Sequence, residues 1–115
     1  AKGSFYVDVH GPTGTKQADY GERQLPKGDH YDIPYGCLVP RDVDDLLVAG
    51  RCLSADHEAL GSVRVMYPCM AMGEAAGVAA AMSLDAGCLP RDIDVSALRS
   101  ELLRRGAIID QPVNE

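Results

Sequence analysis

At 115 residues the chain is about one domain long, and with 46% apolar residues it can build a core of its own. Its 17 acidic residues against 11 Lys and Arg give a net charge of −6, which excludes the clustered-cation footprint that nucleic-acid binding requires. With no Trp and a single Phe, the core falls mainly to Ala, Val, Leu, Ile and Met.

Residues 5–10 alternate Phe5, Val7 and Val9 with Tyr6, Asp8 and His10, the period-two pattern of a half-buried strand. Residues 11–28 follow with four Gly, two Pro and no apolar periodicity, which predicts a long loop or hairpin excursion. In Tyr31-Asp32-Ile33-Pro34-Tyr35 and Leu38-Val39-Pro40 each proline removes a ladder donor, so these are edge or extended segments. Tyr31, Asp32 and Tyr35 line a substrate or simply pack, and packing is the commoner use of such tyrosines. Asp8 and His10, at the end of the first strand, have the same two readings.

Leu46-Leu47-Val48-Ala49 is a short apolar run with Asp42, Asp44 and Asp45 on one side and Gly50 on the other, the pattern of a central parallel strand. Ligands sit beyond the carboxyl ends of such strands, so Arg51 and a loop over residues 52–64 are expected to face whatever is bound. Residues 69–86 are rich in Gly and Ala and predict a long helix ended by Gly87. Gly73 and Gly77, four apart, would let a neighbouring element approach its backbone closely.

Asp94 suits an N-cap for a last, amphipathic helix in which Val95, Leu98 and Leu102 recur at helical spacing, with Arg104 and Arg105 in its final turn and Gly106 as its stop. Residues 110–115 form a polar tail in which fraying is expected. The chain thus divides into extended segments and loops (1–45), the strand, ligand loop and long helix (46–87), the C-terminal helix (88–109) and the tail (110–115).

Cys37, Cys52, Cys69 and Cys88 form no CxxC pair and none lies at zinc-ligand spacing from His10, His30 or His57, so no metal site is expected. Solitary thiols and the lack of an apolar leader suggest a reducing, cytoplasmic setting. The most apolar stretch, residues 66–84, holds Pro68, Glu74 and many weakly hydrophobic Ala residues, so a buried helix is expected rather than a membrane span.

The motifs Tyr31-Asp32-Ile33-Pro34-Tyr35, Leu46-Leu47-Val48-Ala49-Gly50-Arg51, Ser54-Ala55-Asp56-His57-Glu58-Ala59-Leu60-Gly61-Ser62-Val63-Arg64-Val65-Met66 and Gly73-Glu74-Ala75-Ala76-Gly77 together resemble the C-terminal part of the FAD-dependent oxidoreductase family, which belongs to the glutathione-reductase-like and fumarate-reductase-like flavoproteins. The resemblance spans residues 5–109. It implies an α/β fold, the C-terminal portion of a Rossmann-like FAD-binding domain, with FAD as cofactor and hydride transfer to or from a small-molecule substrate. It also implies that Gly50, Arg51, Ser62, Arg64, Val65 and Met66 bind the cofactor, with the N–H groups of Val65 and Met66 near the isoalloxazine and Gly50 and Arg51 beside the ribityl or pyrophosphate region. Tyr67 stands where the family commonly places a proline, which here comes one residue later at Pro68.

Elementary chemistry agrees with this end of the cofactor. Reduced flavin carries negative charge near its N1 and C2 carbonyl, and a helix led by Arg64, Val65 and Met66 offers unpaired N–H donors and a positive dipole. Gly50 lets the backbone come close to a ligand or only makes a tight turn. Arg51 contacts the ligand or is solvated or ion-paired. Arg64 neutralises the flavin, grips an anionic substrate, or pairs with Glu58 or Glu74. His57 and Arg64 are the catalytic candidates; His57, beside Glu58, is a proton donor or acceptor, or caps a turn at the surface.

The family's GxGxxG turn, which holds the FAD pyrophosphate, has no counterpart in these 115 residues. The expectation is a C-terminal fragment whose N-terminal FAD-binding portion is supplied in cis; the alternatives are a small subunit of a split flavoenzyme that meets that portion in trans, and a non-enzymatic interaction module. No nucleic-acid or membrane partner is expected, and homo-oligomerisation is left open.

Overall fold

The computed structural model describes residues 2–3 and 31–109. The strand expected at residues 5–10, the loop over 11–28, and Asp8 and His10 lie outside the described residues, as does the tail. Within them, two short strands, β1 (Lys2–Gly3) and β2 (Tyr31–Asp32), pair antiparallel, with Lys2 opposite Asp32 and Gly3 opposite Tyr31. A 3-10 turn at Tyr35–Leu38 and another at Gly50–Cys52 precede three helices: α1 (His57–Val63), α2 (Met66–Ala86) and α3 (Val95–Arg104). A third 3-10 turn, Pro90–Asp92, joins α2 to α3.

Local chemistry accounts for the helix bounds. The Asp56 carboxylate accepts the Ala59 N–H at 2.7 Å and starts α1. Asp94 does the same for α3 through the Ser96 N–H at 2.9 Å. The stops of α2 and α3 share one geometry. Gly87 (φ 64°) and Gly106 (φ 88°) adopt the left-handed conformation, Cys88 N donates to Ser83 O, and Ala107 N donates to Leu102 O. These are Schellman closures, in which a glycine without Cβ turns the chain so that orphan carbonyls find donors.

The core lies where α2 meets α3. Met72, Ala75 and Ala79 of α2 pack with Leu98 and Leu102 of α3, and Ile33, Leu38, Leu53, Val63, Ile93 and Ile109 close around them. On α2 these buried positions, with Pro68 and Ser83, fall at steps of three and four, one stripe of an α-helix. Val95, expected on the inner face of α3, is exposed.

Three expectations are corrected. Residues 46–49 form no strand: they run extended, Val48 N donates to Leu38 O at 2.9 Å, and Leu46 is exposed. A central strand needs ladders on both edges, and the described residues supply none here. The described part is accordingly mostly helical, with a sheet of only two short strands. Second, residues 52–64 are not a loop, because the Asp56 cap winds most of them into α1. Third, Gly73 and Gly77 are exposed, and a Cβ built on either meets nothing within 4 Å, so no close approach occurs at them among the described residues. The long helix itself starts at Met66, three residues before the expected Cys69, with Pro68 tolerated in its first turn.

No helix among the described residues is long and apolar enough to cross a membrane.

Candidate functional site

The two ends that the fold brings together are the Gly50–Cys52 turn and the elbow between α1 and α2. Gly50 has φ 79°, a conformation that side-chain-bearing residues rarely adopt, and a Cβ built on it would lie 3.8 Å from Cys69 Sγ near the start of α2. Arg64 caps the C-terminus of α1, its N–H bonded to Leu60 O at 3.3 Å, and Val65 is the N-cap of α2. The elbow is two residues long. It therefore sets the end of one helix directly against the start of the next.

The first turn of α2 has the character of an anion site. Val65 makes no side-chain capping bond, and no acidic residue lies in the turn. Met66 and Tyr67 are the first two helical residues, so their N–H groups have no acceptor inside the helix, and Pro68 in third place has no N–H at all. A 21-residue helix adds its dipole at this end. Met66 and Tyr67 are 68% and 80% exposed, so a ligand can reach this turn. The residues present therefore fit the electron-rich edge of a flavin.

Of the expected site residues, Gly50, Arg51, Arg64, Val65 and Met66 gather at this turn and elbow. Arg51 is exposed, and Arg64 is half-buried with a partner of its own. Ser62 is buried, and its hydroxyl hydrogen-bonds the Tyr31 hydroxyl inside the chain. His57 is exposed at the first position of α1, about 10 Å along the helix axis from Arg64, so α1 holds the two catalytic candidates apart. Tyr31 and Tyr35 both serve the fold: Tyr35 donates to Pro90 O, and burial raises both phenols above their ordinary value of 10. The Ser62 bond offsets part of the rise at Tyr31, whereas Cys88 adds to it at Tyr35.

Sequence reasoning missed Cys69. Its thiol donates to Arg64 O at 3.4 Å and Val63 O at 3.7 Å, so it sits inside the elbow. The signal available was a small polar side chain one residue beyond the proline of a first helical turn. All four cysteines are free thiols. Among the described residues no group of three His, Cys, Asp or Glu is placed to hold a metal ion.

Among curated proteins and among solved structures nothing matches the chain. A family model described as FAD dependent oxidoreductase matches residues 1–102, nearly nine-tenths of the sequence. The match covers the Gly50 turn, the elbow and α2 alike. The chain belongs to the FAD-dependent oxidoreductase family, whose cofactor is FAD.

Proposed function

We propose that this chain supplies the flavin-facing end of an FAD-dependent oxidoreductase, as the C-terminal portion of its Rossmann-like FAD-binding domain. The observation that carries this reading is the uncapped start of α2 beside the left-handed turn at Gly50. In this reading residues 1–45 lead back from a substrate-binding region, residues 46–49 bring the chain to the Gly50 turn, and α3 buttresses α2. The FAD pyrophosphate is held by a portion carrying the glycine-rich turn, joined in cis or meeting this chain in trans.

FAD supplies the hydride chemistry, and the protein supplies position and electrostatics. The N–H groups of Val65 and Met66 would hold the electron-rich end of the bound flavin and so favour its negatively charged reduced form. Arg64 adds a cation at the same end, and Arg51, one residue beyond Gly50, approaches the ribityl or pyrophosphate region. Gly50 lets its backbone come within contact of the cofactor, since no side chain stands in the way. His57 is exposed for proton exchange with a small-molecule substrate. The four unpaired thiols support a cytoplasmic setting.

Potentiometry on the native flavin-loaded protein tests the reading. Arg64→Ala is expected to lower the flavin reduction potential, because the reduced cofactor loses more stabilisation than the oxidised one. An unshifted or raised potential, or a native protein with no flavin absorbance, rejects it. The isolated 115-residue chain, holding only part of the cofactor's contacts, is expected to bind FAD more weakly than micromolar.

A further inference from the structure

The elbow between α1 and α2 closes on one residue, Cys69. Its amide donates to Val65 O at 3.2 Å, and its thiol donates to Arg64 O at 3.4 Å and Val63 O at 3.7 Å. Three successive carbonyls therefore point toward the same residue. Every described peptide bond is trans. In a trans peptide unit the N–H lies opposite the C=O, so a carbonyl turned toward Cys69 turns the following residue's N–H away from it. Of the three N–H groups so directed, that of Arg64 is taken up by Leu60 O at 3.3 Å. Those of Val65 and Met66 are aimed outward from the elbow, away from the sulfur.

We propose that Cys69 is a positioning residue whose thiol proton, given chiefly to Arg64 O, fixes the direction of the Val65 N–H toward the flavin, beside the Met66 N–H that its amide sets through Val65 O. The proposal rests on the function inferred above and deepens it. Cys69 does not touch the cofactor in this arrangement. Its sulfur also lies 3.8 Å from the place a Cβ on Gly50 would occupy, so it spaces the Gly50 turn from the elbow as well. A filler of similar size would keep that spacing. Only a side-chain donor keeps the Arg64 carbonyl turned inward, and this separates the positioning role from plain packing.

The test compares Cys69→Ser, which retains a donor, with Cys69→Val, which retains the bulk without one, in the native flavin-loaded protein. The readouts are the flavin reduction potential and the melting temperature. Cys69→Val is expected to weaken the preference for reduced over oxidised flavin about tenfold, a fall of about 30 mV for a two-electron couple. Cys69→Ser is expected to stay within half of that of the parent. A Val variant with the parent potential, or a Ser variant that falls as far as Val, overturns the proposal whatever the melting temperatures do. Should Cys69→Val not fold, Cys69→Ala takes its place with the same expectation. Arg64→Ala in the same preparation separates the two levels of inference: if it lowers the potential and Cys69→Val does not, only the role of Cys69 falls, whereas no shift from Arg64→Ala removes the flavin reading itself.

Discussion

The Tyr35 hydroxyl donates to the Pro90 carbonyl across 55 residues of sequence, and so fastens the segment that leads toward Gly50 to the turn that follows α2. Arg91, the next residue, reinforces the join. Its guanidinium donates to Val43 O at 3.0 Å and Arg41 O at 3.3 Å and pairs with Asp44 at 2.8 Å. An exposed ion pair alone contributes little. Here the planar fork also satisfies backbone carbonyls, which a lysine cannot do with the same geometry.

Both tyrosines give stability a limit on the alkaline side. Burial is the main cause that raises the phenols of Tyr31 and Tyr35 above 10, so the folded state holds their protons more tightly than the unfolded chain does. Their contribution is complete below pH 10 and is lost as pH climbs through the raised values. Urea midpoints taken from pH 8 to pH 11 are expected to be level at first and then fall. The double variant Tyr31→Phe, Tyr35→Phe is expected to fall less steeply.

Glu101 sets a limit on the acid side. Hydrogen bonds from Arg104 and Arg105, at 2.6 to 2.8 Å, hold its carboxyl down at about 2 from an ordinary 4.5. Because the folded value is the lower one, the stabilisation is present above pH 4.5 and is lost as pH falls toward 2. Glu101→Gln is expected to flatten that part of the pH profile, and high salt to weaken the effect in the parent. Chemical denaturation at pH 6 and pH 3 provides the comparison.

Gly50→Ala isolates backbone conformation from crowding. The new methyl would sit at ordinary contact distance from Cys69, so the cost comes from φ 79° and is expected to be about 1–2 kcal/mol. Thermal unfolding measures it. A loss above about 4 kcal/mol would show that something packs against Gly50 more closely than Cys69 does.

Gly77→Ala has the opposite sign. Gly77 lies inside α2 with open space where a Cβ would go, so alanine is expected to stabilise the chain by about 1 kcal/mol through helix propensity. Calorimetry on the isolated chain decides this. Destabilisation in a larger native assembly, beside stabilisation of the isolated chain, would locate a neighbour on that face.

How much could be read from sequence depended on how local the signal was. Asp94, Leu98, Leu102 and Gly106 carry cap, stripe and stop within thirteen residues, and α3 forms where they predict it. Helix α1 has only seven residues, too few for periodicity to rise above noise, and Asp56 is its single sign. Leu46, Leu47, Val48 and Ala49 suit a strand, but strandhood depends on partners that a run of apolar residues does not itself provide. Gly73 and Gly77 encode permission for close packing rather than the contact. The turn at Gly50 and the helix start at Val65 and Met66 were legible because both are backbone features with local signals. Cys69 was hidden in a run of small residues, where its sequence neighbours gave no hint that three carbonyls converge on it.

The bonds at the two ends of α2 make a closed frame. A helix of 21 residues is a strut about 31 Å long. Residues 35–50 double back within this frame: Val48 N donates to Leu38 O and Ser54 N to Cys37 O beside the Gly50 turn, while Arg91, after the helix, grips the tip of the loop at residues 41–44. The loop is therefore tied at its base beside Gly50 and at its tip to the turn that follows α2, so the two turns are joined by backbone bonds as well as through the helix.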